Sequence, residues 1–487
     1  MPFTFDNSYA RLPERFFARL APVPVAQPRL VKFNESLAKQ LGLDCDELQS
    51  PEGVAVLAGS RVPEGAAPLA MAYAGHQFGG FVPQLGDGRA ILLGEILGPA
   101  GERFDIHLKG SGRTPFSRDG DGRAWLGPIL REYIVSEAMQ AFGIPTTRSL
   151  AAVATGESMF RETARPGAVL TRLARSHVRV GTFEYLQARG DIDGLKQLAD
   201  YVIERHYPAA KQANQPYRAL LSAVSTRQAD LVARWLGVGF IHGVMNTDNM
   251  SIVGETIDYG PCAFMDHFHP DRVFSSIDRH RRYAYSNQPN IAQWNLARLA
   301  ESLLPLLNPD ANRAVEEAQP IISGFGRRFE RAYLERFRAK LGLIEPRVGD
   351  TELVDGLLQA MTETGADFTN TFRALCDAAA GENEQLRAQF GDSALFDAWF
   401  TRWSERRASE LIRPEDRANA MRRVNPAIIP RNHRVEAALN AAVAGDLVPF
   451  DALLHAVSNP WDEGAASADF TRPPKPHEVV QKTFCGT

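Results

Sequence analysis

An α+β fold in two parts, β-rich in front and helical behind, is predicted by three features of the sequence. Residues 71–186 are short apolar runs punctuated by glycine, and residues 187–458 carry mostly helical periodicity. One strong helical pattern, at 128–143, interrupts the front half, and one hairpin-like passage, at 241–260, interrupts the back. That order is expected of a protein-kinase-like two-lobed fold, here with an N-terminal extension (1–70), additional C-terminal helices and a tail (459–487).

The elements justify this in turn. Residues 1–70 are rich in Pro and Ala, with one modest helical pattern near Leu30 to Leu41, and read as an extension packed on the β-rich part. RAILLGEIL (89–97) and RFDIHLKG (103–110) flank Gly98, Pro99 and Gly101, a hairpin signal. In the 128–143 segment Pro128 suits a first turn and Gly143 a C-terminal cap, while Ile129, Tyr133, Ala138, Met139 and Phe142 approximate one apolar face. Helical texture resumes after residue 190 and runs from Ile291 to about Ser458, broken by the strand-rich passage 241–260. The polar tail reads as an extended strap ending in Phe484-Cys485-Gly486-Thr487.

At 487 residues, with 44% hydrophobic and 23% charged residues, the chain can bury a catalytic cleft and is not disordered. A net charge of -4 supplies no global field for nucleic acid or an anionic membrane, so any phosphate binding must be local. Cys45, Cys262, Cys376 and Cys485 lack zinc-site spacing and disulfide-scaffold density, which favours a reducing compartment. Charged residues precede any apolar run of signal-peptide length, and no stretch suits a membrane span. A cytoplasmic protein, monomeric, without nucleic-acid or membrane partners, is expected.

Phosphoryl and nucleotidyl transfer need cations around the phosphates and oxygen ligands for Mg²⁺. In RFDIHLKG, Phe104, Ile106 and Leu108 alternate with Asp105, His107 and Lys109, which sets Lys109 opposite the apolar face near the strand's end. Glu132, on the following helix, could pair with it; taken singly, each also reads as a solvated surface charge. The segment His242 to Asn249, HGVMNTDN, matches the kinase loop H-R-D-x-x-x-x-N at its His and Asn, and Asp258-Tyr259-Gly260 resembles D-F-G. Val244 stands at the catalytic aspartate position and can accept no proton, so ordinary γ-phosphoryl transfer lacks its base. Asn249 and Asp258 remain suited to metal ligation, and Asp248 adds a carboxylate beside them. An Asn/Asp-rich turn with a core His would explain either half alone; both halves in register point to a metal-nucleotide site. Two Gly-Asp-Gly-Arg runs, Gly86-Asp87-Gly88-Arg89 and Gly120-Asp121-Gly122-Arg123, offer close backbone approach and arginine forks, though tight turns use such runs too. Arg172 and Arg179 add cations.

At these residues the chain closely resembles the selenoprotein O family, the YdiU-type protein adenylyltransferases. The matching stretches are 73–90, 108–150, 242–261 and 281–303, and the likeness runs from FDNSYARLPERFF to the terminal CGT. The resemblance implies a pseudokinase by sequence that binds ATP inverted relative to a kinase, with Mg²⁺ or Mn²⁺, and transfers AMP to Ser, Thr or Tyr hydroxyls of other proteins. It implies nucleotide contacts from Gly86, Gly88, Arg89, Lys109, Asp121, Gly122, Arg172 and Arg179, with Glu132 as the lysine's partner. Asp248 would be the proton acceptor, Asn249 and Asp258 the metal ligands, with Asp258 also near the nucleotide. It further suggests a reversible Cys262–Cys485 disulfide restraining the catalytic segment. UMP transfer with Mn²⁺, a conventional phosphotransferase and a non-catalytic nucleotide-binding scaffold are the alternatives.

Overall fold

Short strands with alternating apolar residues assemble here into one antiparallel sheet. In the computed structural model, which describes residues 3–160, 163–464 and 468–484, the strands are β1 (Phe17–Arg19), β2 (Arg29–Phe33), β3 (Leu69–Met71), the separate hairpin of β4 (Gly75–Gln77) and β5 (Gly80–Val82), β6 (Ala90–Leu97), β7 (Arg103–Lys109), β8 (Ala124–Trp125), β9 (Arg148–Phe160) and β10 (Ala164–Ala174). The sheet order is β1-β3-β6-β7-β10-β9-β2, with β8 joined to β10. The expected β6–β7 hairpin forms with Ala90 opposite Lys109 and Leu97 opposite Arg103, and its turn uses Gly101 at φ +85°.

Residues 1–70 do more than pack on the sheet: they supply both strands at the ends of its order, β1 and β2. The helical pattern near Leu30 divides accordingly. Arg29–Phe33 pairs with β9, because ladder bonds outweigh a marginal local periodicity, and only Glu35–Gln40 is helical. That helix, α1, is followed by α2 (Cys45–Gln49) and α3 (Pro51–Leu57), each capped by a side chain, Asn34, Asp44 and Ser50 in turn. Their apolar residues form one core with Ile106, Leu108, Val153, Val169 and Leu173 on one face of the sheet.

The other face receives α4 (Leu126–Ala141), which begins two residues earlier than expected and is followed by Gly143 at φ +71°. Ile129, Leu130, Tyr133 and Ile134 pack on Ala152, Ala168 and Leu170, and behind them lie the late helices Asn432–Val443 and Val448–Ser458. Next come α5 (Val180–Gln187), α6 (Ile192–His206), α7 (Pro216–Gly237) and α8 (Gln288–Leu307), whose core is continuous with Leu69, Met71 and Leu92. The passage 241–260, expected to be strand-rich, is mostly turns. Only β11 (Phe240–Ile241) and β12 (Ala263–Phe264) pair across it, with a 3₁₀ turn at Thr247–Asn249. Side chains replace a ladder there, as His242 and Asn249 bond the local backbone. The architecture is therefore mixed, a large antiparallel sheet with many helices, and no helix among the described residues is long and apolar enough to cross a membrane.

Candidate active site

Strand alternation sends Ile106 and Leu108 toward α1–α3, so Asp105, His107 and Lys109 share the opposite face, and Lys109 reaches α4. Lys109 meets Glu132 of α4 in a hydrogen bond, and Arg172 of β10 donates to the other Glu132 oxygen at 3.0 Å. Asp258 completes the cluster: Arg172 Nη1 reaches its Oδ1 at 2.7 Å, Arg179 Nη1 its Oδ2 at 2.9 Å, and Lys109 Nζ lies 3.6 Å away. Burial would raise the Asp258 carboxyl, but Arg172, Arg179 and Lys109 outweigh it and hold it well below the usual range. Glu132, 2% exposed, is likewise lowered because Lys109 and Arg172 overcome burial. Asp258 sits at φ +58°, a backbone state that its own buried ion pairs sustain.

Arg172 is held from behind. Its Nε donates to His107 Nδ1 at 3.2 Å, which leaves the proton on Nε2, 3.1 Å from Asp87 Oδ2. The His107 ring stacks on His177 at 4.2 Å, and Asp105 Oδ2 lies 3.1 Å from His177 Nδ1. Burial keeps both imidazoles neutral, pushing His177 down to about 3. Arg179 stacks over Tyr73 and donates to the Asp248 carbonyl at 2.8 Å.

His242 donates from Nε2 to the Ile257 carbonyl at 2.9 Å, and Asn249 Nδ2 donates to the Val244 carbonyl at 3.0 Å. Val244 thus contributes backbone, with an inert side chain, to this loop. Asp248 is 7% exposed; its Oδ2 accepts from Gln77 at 3.3 Å, while Oδ1 is buried without a partner. Burial raises its carboxyl to about 6.

These groups line a two-chambered cleft. The inner chamber, about 330 Å³, is bounded by Lys109, Arg172, Arg179, Arg89, Asp248, Asn249 and Asp258. The outer, about 770 Å³, runs over Gly86, Gly88, Asp121 and Gly122; Asp248, Gly88 and Arg89 belong to both. A Cβ on Gly122 would stand 2.1 Å from the Gly112 carbonyl, and one on Gly88 2.7 Å from the Phe116 carbonyl, so both glycines permit the loops to close. Glu132 lies behind the chamber wall. Arg123, in the second Gly-Asp-Gly-Arg run, differs from Arg89: its guanidinium donates to the carbonyls of Val23 and Pro24. Among the described residues no group of three or more His, Cys, Asp or Glu is disposed to hold a metal. Asn249 and Asp258 line the same chamber and carry the oxygen type that Mg²⁺ takes; here both Asp258 oxygens are engaged by Arg172 and Arg179, and the buried Asp248 oxygen without a partner borders the same space. Cys262 is a buried thiol raised to about 11 by burial; Cys485 lies outside the described residues.

Sequence reasoning passed over Asp87, His107, His177 and Tyr73. The signal for His107 was present, a second polar residue two positions before Lys109 on the same strand face.

A sheet-and-helix protein whose cleft gathers Lys and Arg side chains around two carboxylates is suited to a phosphorylated substrate, the requirement of a transferase that handles phosphates. Relatives agree. The chain is 62% identical to a protein nucleotidyltransferase YdiU of Rhodopseudomonas palustris (strain BisB5), over 100% of this chain and 99% of the relative. It is 61% identical to one of Methylorubrum populi and 60% to one of Bradyrhizobium sp. (strain ORS 278), with the same coverage. The family model described as "Protein adenylyltransferase SelO" matches residues 1–458, and the chain belongs to that family.

Proposed function

We infer that this enzyme transfers AMP from ATP to Ser, Thr or Tyr hydroxyls of other proteins, on a kinase-like scaffold that binds the nucleotide inverted. The observation that carries the reading is the position of Asp248 between the chambers, with the cations Lys109, Arg172 and Arg179 deeper than it. A triphosphate entering tail first leaves its β- and γ-phosphates against those cations and its α-phosphate beside Asp248. The nucleoside then lies in the outer chamber, over Gly86, Gly88, Arg89, Asp121 and Gly122.

The acceptor hydroxyl gives its proton to Asp248, whose carboxyl near 6 is ionised yet basic at neutral pH. The hydroxyl oxygen bonds to the α-phosphorus as the bond to the bridging oxygen breaks, and pyrophosphate leaves against Lys109, Arg172 and Arg179. Glu132 positions Lys109. Asn249 and Asp258 would hold Mg²⁺ or Mn²⁺, which neutralises charge on the phosphates. Val244 favours this over γ-phosphoryl transfer, because no carboxylate occupies the kinase base position. Docking of the tail beside Cys262, where Thr483 Oγ1 donates to the Pro261 carbonyl at 2.5 Å, supports a Cys262–Cys485 pairing.

ATP labelled at either the α or the γ phosphate tests the reading. Label reaching protein only from the α position is expected; label only from the γ position overturns it.

A further inference from the structure

The mouth of the inner chamber carries features the nucleotide does not use. Phe78, at the tip of the β4–β5 hairpin, lines the chamber, is 37% exposed and holds φ at +52°. A bulky aromatic in that region is strained, and strain of this kind persists only where the surroundings enforce it. They do: Phe78 N donates to Asn246 Oδ1 at 3.0 Å and its ring packs on Tyr283 at 5.1 Å. Ile277 also lines the chamber and is 53% exposed. Phe81, 42% exposed, is a second apolar side chain on the same hairpin, its ring 4.9 Å from that of His76.

Next to Ile277 the chain reads Asp278-Arg279-His280-Arg281-Arg282. Buried Asp278 accepts from the amides of Arg282 and Tyr283, both at 2.8 Å. The tail clamps the loop's start, with Thr483 bonded to Phe274 and Ser276. The loop is therefore a fixed platform. Arg279, His280 and Arg281 stand exposed on it, and among the described residues their side chains form no ion pair. Arg281 also holds a positive φ, +55°. Arg282 instead stacks on Trp294 at 4.8 Å, against the hairpin at Gly79.

We propose that this rim, Phe78, Phe81 and Ile277 with Arg279, His280 and Arg281 beyond, is the docking surface for the acceptor protein. Its occupant is an acidic segment with an apolar residue next to the hydroxyl-bearing one. The apolar residue is seated between Phe78 and Ile277, which sets the hydroxyl at Asp248. Carboxylates further along face Arg279 and Arg281, and complementary charge at an interface rim governs selection and encounter rate. The proposal rests on the transferase reading above and names its substrate class.

Synthetic peptides with one Ser, Thr or Tyr, flanked by Leu and by either Glu or Lys, are assayed for label from α-labelled ATP with the full chain. The acidic peptides are expected to exceed the basic ones in kcat/KM by about tenfold or more, with the advantage shrinking in salt. Arg279→Glu with Arg281→Asp should reverse the preference while ATP affinity, measured by equilibrium binding, stays unchanged. Ile277→Ser should raise KM for Leu-flanked peptides alone. Peptides labelled without regard to charge, or a preference unmoved by charge reversal, overturn the proposal. Label confined to the enzyme itself overturns it too, the occupant then being a second copy. Absence of α-label from every peptide and protein brings down the transferase reading instead.

Discussion

Glu132→Gln isolates the electrostatics of the site. Three cations, Lys109, Arg172 and Arg179, share two carboxylates, Glu132 and Asp258. Glutamine keeps the shape and an acceptor but removes a buried charge, so the cluster's net charge rises from one positive to two. Breaking a buried pair by neutralising one member costs about 3–5 kcal/mol, and the retained hydrogen bonding sets the expectation at the lower end, about 3 kcal/mol. Chemical denaturation followed by tryptophan fluorescence reads this loss. Saturating ATP should recover part of it, because the triphosphate supplies the missing negative charge and binds only the folded state. With Lys109 held only by a neutral acceptor and its orientation loosened, AMP transfer should fall by up to about 10²–10³, the usual effect of losing one oriented donor at the reacting phosphates. A variant within 1 kcal/mol of wild type and comparably active would refute the idea that Glu132 orients Lys109 and balances Arg172.

Asp248→Asn should retain ATP binding and lose transfer by about 10²–10⁴, the contribution of a general base, read by α-label incorporation beside equilibrium binding. Gly122→Ala forces a Cβ to 2.1 Å from the Gly112 carbonyl at a residue with φ +68°; it should cost more than about 1 kcal/mol of stability and weaken ATP affinity, whereas Gly120→Ala, where the nearest atom is 3.1 Å away, should do far less. His177 has a folded pKa of about 3 against an ordinary 6.5, so its neutral form contributes stability that is whole above about 6.5 and is lost as pH falls toward 3. NMR should find the His177 ring neutral throughout pH 5 to 8.

The legible parts of this protein were those decided locally. Period-two alternation and three turn residues sufficed for the β6–β7 hairpin, and Pro128 and Gly143 each fell within two residues of an end of α4. Lys109, Glu132, Asp248, Asn249 and Asp258 could be read from residue type and chain order; the structure sets Lys109, Asp248, Asn249 and Asp258 around one cleft, with Glu132 behind its wall and bonded to Lys109. What escaped was decided at a distance. Asp105 and His107 alternate with apolar residues and so suggest a solvated face, yet both are buried because partners arrive from remote segments, Arg205 and His177 for one, Asp87 and Arg172 for the other. The two Gly-Asp-Gly-Arg runs are indistinguishable as text; both arginines line the cleft, but only the path of residues 23–24 gives the Arg123 guanidinium backbone carbonyls to hold. The strand at Arg29–Phe33 likewise exists because β9 offers it an edge.

That the first 33 residues furnish both β1 and β2 has a consequence for biosynthesis. Arg29 pairs with Ala154 and Phe17 with Met71, so β2 cannot complete its ladder until β9 has been made, a non-local pairing that slows folding. Until it docks, β9 presents Leu150-Ala151-Ala152-Val153-Ala154, uncharged and unpaired, along an open ladder. Such an edge recruits other chains. The segment that carries β1 and β2 is thus the sheet's own guard against aggregation, and its loss leaves the β9 edge open to pairing between molecules.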